Sequence, residues 1–259
     1  MDNRKPVSLF KLFMKESFVI WLALLIPVLG VAQETHLASA APTSDTNVAS
    51  KRPMELKERR ILPLFGELSK TSAQIDEEIR FLSECDKSFS SRTEASSFFS
   101  ARAWEYLQEG ALDTACYRFN LAHLLNDKNV DAFWGLGVVS YQRENWVDAK
   151  RMLSKGANIQ GDNVALLVDL STVDLKLYAI TNRQEELEEA SNVLKRATEL
   201  DSTYALGQYN LALLHYNLNE PEKSWEHLHK GRTLDFSQLN IEFVELLKAK
   251  LPDPQGFFK

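Results

Sequence analysis

The chain has 259 residues, 44% of them hydrophobic, and a formal net charge of −6 from 30 basic against 36 acidic side chains. That length holds one large domain or two small ones, and only 10 Gly and 8 Pro exclude low-complexity disorder over most of it. The acidic balance and the lack of a basic stripe argue against nucleic acid as a partner.

Arg4, Lys5, Lys11 and Lys15 precede an apolar run over residues 18–32. The run is shorter than the ~20 residues of a spanning helix, and Pro27 interrupts it near its end. Small residues follow, Gly30-Val31-Ala32 and then Ala38-Ser39-Ala40. Residues 1–32 therefore read as a cleaved secretory signal or as an uncleaved anchor holding the chain to a membrane through residues 18–32. Both imply an exported protein, periplasmic or attached to the cell membrane. Residues 33–55, rich in Ala, Ser, Thr and Pro, read as a flexible spacer.

Residues 56–95 form an N-terminal extension with one helix. Its charged start, Lys57 to Arg60, leads into Ile61-Leu62-Pro63-Leu64-Phe65. Pro63 disfavours a helix interior there, so the pentad is expected to lie extended against another surface. Thr71 or Ser72 caps a helix to about Cys85, with Ile75, Ile79 and Leu82 on one stripe. Cys85 and Cys116 fall on different helices; export permits a disulfide, and free buried thiols are the simpler reading.

Over residues 96–235 one pattern returns. Small residues stand at Ala115, Ala149, Ala190 and Ser224, each followed by a larger apolar one at Phe119, Leu153, Leu194 and Leu228. A second small residue then comes at Ala122, Gly156, Ala197 and Gly231. The spacing of the first set is 34, 41 and 34 residues, the signature of stacked helical hairpins. The extra length of the third hairpin falls around Thr181-Asn182, where Asn182 and Glu185 suggest a capping box. The small residues are expected to meet Ala103, Gly137, Ser171 and Ala212 on the first helix of each hairpin. Residues 236–259 supply a capping helix, with Ile241, Phe243, Val244, Leu246 and Leu247, and a tail whose Phe257-Phe258 can fold back.

This pattern resembles the tetratricopeptide repeat (TPR) family. The second block carries it best, with Phe133, Leu136-Gly137, Ala149, Leu153 and Gly156. The family's Pro after each second helix is replaced by Asp127, Gly161, Ser202 and Phe236, and Arg102 stands where it prefers an aliphatic residue. The resemblance implies an all-α, TPR-like helical-hairpin solenoid of about four repeats, with an N-terminal helix and a C-terminal capping helix. It also implies a concave groove, lined by the first helices, that holds a peptide or partner helix.

The matching groove positions are Trp104 and Leu107, then Trp134, Val138 and Tyr141, then Tyr209, Leu213 and Tyr216. In the third hairpin they are Val168, Thr172 and Leu175. Aromatic residues make strong anchors for a protein partner. The alternative is an architectural envelope subunit whose groove is filled by Ile61–Phe65 or Phe257-Phe258. The Lys/Asn/Arg clamp of the carboxylate-binding branch is missing, its positions carrying Ser100, Trp104, Gly135, Ala165 and Asp169. No phosphate loop, HExxH or GxSxG motif occurs. His227 and His229 lie two apart and face different ways, and the run Glu185 to Glu189 reads as a solvated helix start. Neither catalysis, nor a metal, nor a cofactor is expected.

Overall fold

The computed structural model describes residues 56–259. The expected signal or anchor (1–32) and spacer (33–55) lie outside the described residues. The described residues contain eleven α-helices and no strand. A short α1 (Leu56–Arg60) and a turn over Pro63–Glu67 lead to α2 (Ser72–Ser88). Four hairpins follow: α3 (Arg92–Gln108) with α4 (Leu112–Leu125), α5 (Val130–Gln142) with α6 (Trp146–Ile159), α7 (Val164–Thr181) with α8 (Gln184–Leu200), and α9 (Ala205–Asn217) with α10 (Pro221–Leu234). A short turn, Phe236–Gln238, leads to the capping helix α11 (Ile241–Lys250).

Local chemistry sets the helix ends. Asn129, Asn163 and Asn240 each accept the backbone N–H three residues on, at 3.0, 3.1 and 3.0 Å, opening α5, α7 and α11. Thr71 and Gln74 form a capping box at the start of α2. Inside each hairpin one residue takes a left-handed conformation: Gly110 (φ 78°), Glu144 (φ 58°), Asn182 (φ 54°) and Asn219 (φ 59°). In three of these turns the next N–H bonds back over five residues, as in Ala111 to the Tyr106 carbonyl at 2.9 Å, which reverses the chain sharply.

The small residues let the paired helices touch. Ala115, Ala149, Ala190 and Ser224 are fully buried, as are Ala103, Ser171 and Ala212 opposite them. A Cβ on Gly137 would sit 2.6 Å from Leu153 Cγ and 3.3 Å from the Ala149 carbonyl oxygen. Ser224 Oγ donates to the Ala212 carbonyl at 2.7 Å, so the one polar member of the set is satisfied inside the seam.

Three expectations need correction. Asn182 ends α7 as a left-handed cap instead of opening α8, and the extra length of the third hairpin is absorbed by longer helices on both sides of it. Ile75 and Ile79 are exposed; α2 instead packs through Cys85, Phe81 and Leu82. The segment after Arg60 is not extended throughout, because Leu64, Phe65 and Gly66 make a left-handed turn (φ 52°, 55° and 71°). Both cysteines are free thiols and buried. No helix among the described residues is long and apolar enough to cross a membrane.

Candidate protein-binding surfaces

The first helices lie side by side, α3 against α5 and α7 against α9. The Trp134 indole N–H donates to Asp169 Oδ2 at 2.7 Å and ties α5 to α7. The eight expected groove positions all lie on first helices, and most are packed. Trp104, Leu107, Trp134, Val138, Tyr141 and Tyr209 are buried, while Leu213 and Tyr216 are half-buried. Trp104 stacks edge-on against both Phe119 and Trp134, at 5.2 and 5.4 Å between ring centroids. Burial, with Asp169 adding to it, pushes the Tyr141 hydroxyl up to about 12. These rings close the gaps between successive hairpins, which is why aromatic residues recur there. Tyr216 packs edge-on to Phe243 of α11, with the Lys250 ammonium 3.8 Å from its ring centroid.

The two segments expected in the groove lie elsewhere, on the second helices. Asn120 of α4 holds the first: its Nδ2 donates to the Arg60 and Leu62 carbonyls at 3.1 and 2.7 Å, and its Oδ1 accepts the Leu64 N–H at 2.7 Å. Cys116 donates to the Ile61 carbonyl at 3.2 Å, as does Arg143 from the turn before α6. Glu67 pairs with Arg151 and Lys155 of α6. Burial pushes the Cys116 thiol up to about 11.

The tail is latched on α10. Asp253 accepts the N–H groups of Gln255, Phe257 and Phe258, each at 2.8 Å, and lies 2.8 Å from His229 Nε2. Burial acts to raise the Asp253 carboxyl, but the Phe258 and Gln255 amides and His229 hold it down at about 2. Phe258 stacks on Trp225 and His229. His227 turns away to stack on His215, ring centroids 5.2 Å apart.

Between hairpins two and three lies an ion cluster that the sequence reading missed. Lys150 of α6 lies 3.0 Å from Asp174 of α7 and also pairs with Glu186 and Glu189 of α8; Arg183 pairs with Glu186 as well. Asp174 and Glu186 are buried, so Glu186 is not part of a solvated helix start. Burial pushes the Asp174 carboxyl up to about 7, with Lys150 offsetting part of the shift. Burial acts to lower the Lys150 ammonium, but Glu186, Glu189 and Asp174 raise it above its ordinary value. The ligand oxygens of the three acids lie within 4.8 Å of one another, and the Lys150 ammonium sits among them. One sign was available: Asp174 is one of only three charged residues of α7, with Asp169 and Lys176, and a buried charge needs a partner.

Residues 181–219 match the family model described as TPR repeat. That stretch spans α8 and α9, the second helix of one hairpin and the first of the next. The sequence has no match among curated proteins. Among solved structures, a thermophilic TPR protein of Thermus thermophilus is similar at 18% identity, with a TM-score of 0.52, covering 62% of this chain and 93% of that one. MamA of Desulfovibrio magneticus RS-1 is similar at 15% identity, TM-score 0.51, covering 62% and 86%. By its fold, the chain is a TPR-type solenoid of four helical hairpins closed by a C-terminal helix.

Proposed function

We propose that this chain is a protein–protein interaction scaffold of the cell envelope, holding a peptide or partner helix along the face made by α3, α5, α7 and α9. The observation that supports it is that face itself: buried small residues draw the hairpins together, and Trp134 and Asp169 join neighbouring first helices across it. A solenoid offers area rather than a reactive pocket, and its function lies in what the face holds. A partner would first meet Leu213 and Tyr216, whose side chains keep accessible surface. The envelope address follows from residues 1–32 alone.

The second reading is an architectural subunit braced within a larger envelope assembly. The packed state of Trp104, Trp134, Val138 and Tyr141 favours it, since rings already buried inside the chain leave less surface for transient clients. A photo-crosslinking amino acid at position 213 of the full-length chain, with position 147 on exposed Val147 as the control, tests both. Discrete adducts from solubilised envelopes at 213 only support the scaffold. One stoichiometric, salt-resistant adduct selects bracing, and several minor ones select capture. Equal labelling from both positions, or none, overturns the proposal.

A further inference from the structure

Four seams run along the outer side of the solenoid, where the second helix of one unit meets the first helix of the next. Three are closed from within the chain. Ile61–Phe65 closes the α4–α5 seam through Cys116, Asn120 and Arg143. Lys150 and Asp174 close the α6–α7 seam. The tail closes the α10–α11 seam, where the Trp225 indole donates to the Leu251 carbonyl at 3.0 Å and Phe258 stacks on the same ring.

The fourth, α8–α9, holds an open cavity of about 340 Å³. It is related to the first by register. Ala115 and Gly137 correspond to Ala190 and Ala212, an offset of 75 residues in both helices. The same offset carries Cys116 and Asn120 onto Ser191 and Lys195, and Val139 and Arg143 onto Leu214 and Leu218. All four of the resulting residues line the cavity, with Leu211 beside them. The counterparts of Cys116, Asn120 and Arg143, which grip a chain segment in the α4–α5 seam, therefore face an open slot between α8 and α9. The apolar part of that slot is Leu211, Leu214 and Leu218, with Leu218, 39% exposed, standing where Arg143 stands; Ser191, Lys195, Thr198, Glu199 and His215 line the rest.

We propose that the α8–α9 seam is a docking slot for an extended segment of a partner protein with an aliphatic and aromatic run of the kind found at Ile61–Phe65. Its side chains would pack on Leu211, Leu214 and Leu218, and its carbonyl oxygens would face the Lys195 ammonium, as those of Arg60 and Leu62 face Asn120. Among the described residues, the chain's own segments of this chemistry are committed elsewhere, one held by Asn120 and the other by Asp253. A second copy would have to release one of these described segments to fill the slot, which favours a different protein as the occupant. The slot is separate from the first-helix face and stands or falls without it.

The test is fluorescence anisotropy of a labelled peptide with the sequence of residues 60–67, titrated with the full-length chain. Saturable binding is expected, weakened at least tenfold by Leu218→Glu and by Lys195→Glu and unchanged by Val147→Glu. Both lost side chains are outside the buried core, and circular dichroism checks that each variant keeps its helix content. Absence of binding, binding that ignores Leu218→Glu and Lys195→Glu, or an equal loss in Val147→Glu overturns the proposal.

Discussion

At the scale of single residues, the seams are governed by size and by charge. Small side chains were readable because they recur at a fixed spacing and because helices approach closely only where Cβ atoms are few. Charge was not readable in that way. Asp174 and Lys150 lie on different hairpins, and only packing brings them to 3.0 Å. Burial holds the Asp174 carboxyl at about 7 in the folded chain, against roughly 3.9 when unfolded. Between those values the folded state keeps a proton that the unfolded state releases. The stability this contributes is full below about pH 4 and is lost as pH rises to about 7. Asp174→Asn cannot titrate, so the stability of the native chain relative to this variant should fall by ~2–4 kcal/mol over that window and stay level on either side. Urea midpoints of both proteins from pH 4 to 8 measure the difference, in which the other carboxylates largely cancel. A constant difference would mean that Asp174 is already ionised at pH 4.

Elements show where a linear pattern stops being informative. Hairpins and caps were legible because each is a local matter of period, Asn or Ser at an N-cap, and a left-handed turn residue. The docking of Ile61–Phe65 was not, because it depends on Asn120 and Cys116, 55 or more positions along. An apolar pentad says that it needs cover, without saying whose. For the same reason the aromatic residues on the first helices read as an open groove, whereas Trp104 and Trp134 face each other across a seam. Asn120→Ala removes three of the hydrogen bonds that hold the segment and strands the Leu64 N–H, at a cost of ~1–3 kcal/mol. Since about 1.4 kcal/mol is a tenfold change in population, the segment should lift often enough to uncover Cys116 without unfolding the hairpins. Alkylation of Cys116 should then accelerate about tenfold or more, while buried Cys85 on α2 keeps its rate. Parallel acceleration of both thiols would show global opening instead of local release.

For the whole molecule, the decisive property is that each hairpin touches only its neighbours. The order of the units was visible in the sequence, since a 34-residue period leaves few other folds. Which seam stays open was not, because each is closed by a different device placed far away in the chain. A solenoid of this kind loses stability locally when an end is removed. At the C-terminus, Val244 and Leu247 of α11 are buried against Ala212, Trp225 and Leu228, with Phe258 packed against the same cluster. Those three side chains contribute on the order of 5 kcal/mol by area removed from water, comparable with the whole stability of a small domain. Deleting residues 240–259 should therefore fray α9 and α10 and leave the earlier hairpins folded. Hydrogen exchange would show this as amides of α9 and α10 losing protection while those of α3 to α6 keep theirs. Helices α7 and α8 should fall in between, because the seam that joins them to the last hairpin holds an open cavity. Uniform loss of protection along the chain would mean that the four hairpins unfold as one unit, and that the α8–α9 seam transmits stability despite its gap.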